Sequence, residues 1–137
     1  MNLYSYQGSR PQLLPFRIRL SDGSTRTDPS TFTREEITAS GYAGPYTQPS
    51  YNTKTEVLDW NGSEYFVRPY NTQELEEQWN KVREQRNRLL KDSDWTQISD
   101  YNLELENKDQ WRVYRQKLRD LPEVQSNPFD ILWPTIP

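Results

Sequence analysis

The side chains that most often carry chemistry are absent here or scattered. The 137 residues contain no His and no Cys, which removes thiol nucleophiles, disulfides, Cys/His zinc sites and the commonest general base. Asp92, Asp94 and Asp100 gather at the end of a helical stretch. They lack the central Gly and closing Glu of a twelve-residue calcium loop. Most other acids fall at capping or i,i+4 positions, which argues against a catalytic carboxylate pair. Gly8, Gly23, Gly41, Gly44 and Gly62 stand singly, so no run of glycines is available to cradle a phosphate. Arg83, Arg86, Arg88, Arg112, Arg115 and Arg119 are interleaved with acids, the pattern of a solvated, salt-bridged helix face. The expectation is a protein that is not an enzyme, with no catalytic residues, no cofactor and no metal.

Composition points to binding instead. Only 32% of the chain is hydrophobic and its mean hydropathy is -1.10, yet aromatics reach 13%, with five Trp and nine Tyr. Disordered chains are poor in aromatics, whereas large rings with polar handles suit thin cores and interfaces. The chain is therefore expected to fold around a modest core and to lean on a partner. Seventeen basic residues stand against twenty acidic ones, and neither half has the basic excess that phosphate contacts require. Nucleic acid is not an expected partner. No stretch has the length of a membrane span. The first residues lack the basic flank and apolar run of a signal peptide, so a soluble, cytosolic protein is expected.

The elements that must position these aromatics can be read locally. In residues 15–28, Phe16, Ile18 and Leu20 alternate with Arg17 and Arg19, a half-buried strand that turns at Asp22-Gly23 and returns through Ser24 to Thr27. Thr33 and Glu36 form a capping box for a short helix ended by Gly41. Residues 42–54, with Gly44, Pro45 and Pro49, read as an extended connector carrying Tyr42, Tyr46 and Tyr51. Glu56–Trp60 and Glu64–Arg68 flank Asn61-Gly62, the preferred pair for a type I′ hairpin turn. Asn61-Gly62-Ser63 also fits a glycosylation acceptor, but the turn is the better reading without a secretion signal.

From Asn71 the period becomes helical. Asn71 and Glu74 cap a helix running to about Lys91, with a stripe of Leu75, Trp79, Val82, Arg86 and Leu89. Ser93-Asp94-Trp95 ends it. A second helix is expected to be capped by Asn107 with Gln110, to carry Trp111, Tyr114 and Leu118 on one face, and to stop at Pro122. Residues 127–137 are extended, since Pro128, Pro134 and Pro137 exclude a helix while five large apolar side chains exclude a solvated tail. Two helices with these few apolar side chains do not offset the entropy of ordering them. Something must cover their open side: Trp95, the C-terminal segment or another protein. The expectation is that Trp133 packs across the pair. Arg86, central in the stripe, must find a carboxylate or reach past the edge to water, and Asp94, Asp100 and Asp120 are the acids at hand for a structural ion pair.

The fold class expected is α+β: N-terminal β-hairpins with a short helix, then a two-helix antiparallel hairpin and an extended Pro/Trp C-terminal segment. Two modules are expected, a β-rich one over 1–70 and a helical hairpin over 71–137. Trp60, Trp95, Trp133, Tyr46, Tyr51 and Phe129 are the candidate partner-binding side chains, because Trp and Tyr serve cores and binding hot spots alike.

From Trp79 the chain reads W-x-x-V-R-x-x-R-N-x-L-L, then S-D-W-T-Q-I-x-D, W-x-x-Y-R-Q-x-L-R-D-L-P and L-W-P-T-I-P. This resembles the bacteriophage tail assembly chaperone family over residues 79–137. Residues 1–70 resemble, more loosely, the β-rich N-terminal region of some such proteins. The resemblance implies a protein of the host cytoplasm during assembly that binds a tail-fibre or baseplate protein and helps it fold, trimerise or attach. It brings no catalytic residue and no cofactor. It leaves open oligomer formation and a second role, that of a structural adaptor retained in the virion tail between fibre and baseplate. Exposed aromatics and strand edges that add to a partner sheet suit both.

Overall fold

The computed structural model describes residues 1–98 and 103–137. It is an α+β fold, as expected, with β-hairpins and a short helix followed by two packed helices. The chain divides into two compact units, Met1–Tyr51 with Glu56–Arg68, and Asn52–Thr55 with Pro69–Pro137.

The first unit holds three two-stranded sheets rather than one continuous sheet. Strands β2 (Arg17–Arg19) and β3 (Thr25–Thr27) pair antiparallel with Ile18 opposite Arg26. Ile18 is buried and both flanking arginines are exposed, the alternation read from the sequence. Phe16, expected on the same face, is instead exposed. It lies outside the strand, so the period does not bind it. Leu20 closes the hairpin at both ends: its N–H donates to Ser24 C=O at 2.8 Å and its C=O accepts from Gly23 N–H at 3.0 Å. Gly23 supplies the positive φ of 85° that this three-residue loop needs. Helix α1 (Arg34–Ala39) opens with both halves of the Thr33/Glu36 capping box and buries Ile37.

Two readings of this unit need correction. Residues 42–46 are not a connector but strand β4 (Tyr42–Tyr46), paired antiparallel with β1 (Leu3–Tyr6). Its partner lies some forty positions away, beyond the reach of local periodicity. Gly44 permits the approach, since a Cβ there would lie 2.9 Å from Leu3 C=O. Strands β5 (Glu56–Trp60) and β6 (Tyr65–Pro69) form the expected hairpin, but not through a type I′ turn. Only Gly62 of the pair has a positive φ. The Asn61 side chain accepts from the N–H groups of Ser63 and Glu64, each at 2.9 Å, and Asn61 N–H donates to Glu64 C=O at 3.2 Å. An Asn that closes the loop with its own carboxamide removes the need for a left-handed backbone at its own position.

The second unit is built on α2 (Thr72–Asp92) and α3 (Leu105–Val124), with a 3-10 turn at Asp94–Gln97 between them. Asn71 and Glu74 make the reciprocal cap on α2. Helix α3 is capped three residues before the expected Asn107: Glu104 is its N-cap, makes no side-chain cap bond, and its C=O accepts from Lys108 N–H at 3.0 Å. Nor does Pro122 stop it. The proline sits within the last turn, and Gln125 N–H still reaches Leu121 C=O at 3.1 Å. A proline there forfeits the bond to Leu118 C=O, and full burial of Leu118 and Leu121 offsets that loss. With Val82 and Tyr114, these leucines form the core between the helices.

Candidate partner-binding surface

What locks the helical unit is an arginine on the buried face of α3. Arg115 is 7% exposed. Its Nη1 donates to Leu90 C=O at 2.6 Å and Ser93 Oγ at 2.7 Å, and its Nη2 donates to Asp94 Oδ1 at 2.8 Å. One guanidinium thus satisfies a carbonyl of the last turn of α2, the hydroxyl at its C-cap and an acid of the 3-10 turn. Positive charge there is also favoured by the helix dipole. Beside it, burial first and the Asp92 carboxylate second push the Tyr114 hydroxyl above the usual phenol range.

Arg86 does something different. Its Nε and Nη2 donate to Asn87 Oδ1 at 3.3 and 3.2 Å. Of its expected partners, Asp94 accepts from Arg115, Asp120 accepts from Gln116, and Asp100 lies outside the described residues. Arg115 was legible by the same test applied to Arg86, since it lies four residues after Trp111 and three before Leu118 on the apolar face.

The C-terminal segment divides sharply in how it is held. Asn127–Asp130 is an anchor. Asn127 Nδ2 donates to Lys54 C=O at 2.8 Å, and Asn127 Oδ1 accepts from Phe129 N–H at 3.0 Å. Lys54 Nζ meets Asp130 Oδ1 at 3.1 Å. Pro128 is buried and its C=O accepts from Gln78. Phe129 stacks on Tyr70 with centroids 3.8 Å apart and planes at 10°, and Tyr70 Oη donates to Thr53 C=O at 2.7 Å.

Residues 131–137 are held far more lightly. Their backbone makes two hydrogen bonds among the described residues, both to the Gln125 carboxamide: Leu132 N–H to Oε1 and Nε2 to Leu132 C=O, each 2.8 Å. Trp133 lies half-buried beside Val82 and Gln85 of α2. Leu132 and Pro134 run along Lys117, Leu121 and Val124 of α3, and Thr135 to Pro137 run along Val113 and Tyr114. Leu132 is 81% exposed, Val124 73% and Ile136 61%. Together with Val113 they form an open apolar row on α3 and the extended segment laid against it.

The other candidate side chains fall as follows. Trp60 is half-buried in an edge-to-face cluster, 4.9 Å from Tyr46 and 5.2 Å from Tyr65, and its indole N–H donates to Gly8 C=O at 2.9 Å. Tyr51 is exposed. Trp95 is more than a third exposed and meets Trp111 edge-on at 5.6 Å. A second open area is lined by Ile98 and Leu105 with Lys108 and Arg112. Among the described residues, no three acids come together to hold a metal ion and no helix is long and apolar enough to cross a membrane.

These features define an α+β protein whose helical unit is closed by a folded-back C-terminal segment and displays apolar side chains beside it. Residues 79–137, a little under half of the chain, match the family model described as phage tail assembly chaperone protein. The match covers most of α2, all of α3 and the whole C-terminal segment, and bears out the resemblance read from the sequence. No curated protein and no solved structure matches the chain.

Proposed function

We propose that this protein assists assembly of a bacteriophage tail or tail fibre, binding a client through exposed apolar and aromatic surface and helping it fold or attach. The observation that carries this reading is the family match over residues 79–137. It is supported by the apolar row of Val113, Val124, Leu132 and Ile136, which lies inside the matched segment. Exposed large apolar side chains grouped on one face are costly in a free protein and mark interaction sites. The aromatic cluster around Trp60 and the edges of the two-stranded sheets offer a second means of contact in the other unit.

Co-expression with a tail-fibre protein encoded by the same genome tests the reading. The fibre protein is expected to be soluble and to co-purify only when this chain is present. A fibre protein equally soluble alone would overturn it. Mass spectrometry of purified virions then separates a transient helper from an adaptor retained in the particle, which would be found at stoichiometric copy number.

A further inference from the structure

The contrast between the two parts of the C-terminal segment has a consequence for how a client engages. The anchor, Asn127–Asp130, is tied by a stacked ring, an ion pair and hydrogen bonds to Lys54 and Gln78. The seven residues that follow are tied through one side chain, Gln125. They also pack incompletely. Open clefts flank them on both helices, about 260 Å³ beside Trp133 and about 420 Å³ beside Thr135 to Pro137. A segment with two prolines is already extended before it docks, so it leaves and returns at low conformational cost. None of its side chains is charged, and the seat beneath is neutral in balance, with Lys81 and Lys117 against Asp109 and Asp120.

We propose that residues 131–137 are a displaceable strap hinged at Asp130, and that the seat beneath receives an uncharged, extended client segment containing proline and an aromatic. The occupant is inferred from what the seat already holds: an Ile-Leu-Trp-Pro-Thr-Ile-Pro stretch whose Trp133 enters beside Val82 and whose Leu132 backbone is read by Gln125. The client displaces the strap by presenting the same features. This rests on the chaperone reading above for the identity of the client, but not for the exchange itself.

A labelled peptide of sequence Ile-Leu-Trp-Pro-Thr-Ile-Pro is the probe. Its affinity is measured for the full chain and for the full chain carrying Trp133→Ala, which weakens the strap's own hold and leaves the Gln125 carboxamide in the seat. If strap and peptide compete, removing Trp133 from the strap favours the peptide, and affinity rises about tenfold. A peptide with Trp replaced by Ala binds about tenfold more weakly. Equal, weak binding by both proteins with unchanged helical circular dichroism overturns the proposal. Should the Trp133→Ala variant lose helix, Ile136→Cys in the otherwise unchanged chain decides, because the chain has no other cysteine and position 136 is exposed. A dye there is expected to lose anisotropy as unlabelled peptide saturates the protein. Constant anisotropy at saturation, or no binding, refutes displacement. Peptide exchange without any effect on fibre solubility would remove the chaperone reading and leave the strap standing.

Discussion

Arg115 and Arg86 show how differently two arginines on apolar stripes behave. Arg115 gives three hydrogen bonds to groups that end α2, while among the described residues Arg86 donates to its neighbour Asn87. Replacing Arg115 by Met removes its three hydrogen bonds, although Leu90 C=O still accepts from the Ser93 N–H at 3.2 Å and the Ser93 hydroxyl at 3.1 Å. Because Asp94 is largely exposed, its Coulombic share is screened, and the expected cost of about 2–3 kcal/mol comes mainly from the lost hydrogen bonds. Arg86→Met is expected to stay within about 0.5 kcal/mol. Urea denaturation of the two variants checks the contrast, and equal costs would contradict it. A second residue-scale expectation concerns pH. The Arg68 hydrogen bond, then the Trp60 N–H, hold the Asp59 carboxyl below its ordinary value. A lowered folded-state value means that its contribution is complete above the ordinary carboxylate range and is lost as pH falls through the lower folded value. Thermal unfolding between pH 5 and pH 2 is therefore expected to show a decline that Asp59→Asn reduces.

Among the elements, the anchor is the one whose removal should matter. Phe129 stacked on Tyr70, buried Pro128 and the Lys54–Asp130 pair all act within four residues. Truncation after Ser126 is expected to lower the melting temperature of the helical signal by roughly 10 °C, corresponding to about 2 kcal/mol in a unit of this size. Truncation after Asp130 removes the strap alone and is expected to shift it by less than half as much. Equal shifts would mean that the strap, not the anchor, closes the helix pair.

For the molecule as a whole, the two units are interleaved along the chain rather than consecutive. Asn52–Thr55 belongs with the helices although residues 56–68 return to the other unit. Lys54 supplies the carbonyl and ammonium that hold the anchor, Thr53 receives the Tyr70 hydroxyl, and Tyr70 receives Phe129. A fragment of residues 71–137 lacks all three. It is expected to melt below the helical transition of the full chain, and the deficit should resemble that of truncation after Ser126. A fragment as stable as the full chain would show these contacts to be dispensable.

How much of this was legible follows from the range of each signal. Caps at Thr33 and Asn71, the alternation around Ile18, both hairpins and both helices are set within a few residues of themselves, by side-chain caps and periodicity, and the sequence alone determined them. The W-P-T-I-P ending with the Trp and Arg spacings before it also sufficed for the family resemblance. The β1–β4 pairing, the choice of Arg115 over Arg86 as partner of Asp94, and the hold of Lys54 and Tyr70 on the anchor join residues far apart in sequence. Periodicity places a side chain on a face but does not say which distant group that face will meet. Tertiary packing alone decided those, because only packing determines which distant donor and acceptor come within hydrogen-bond reach of each other.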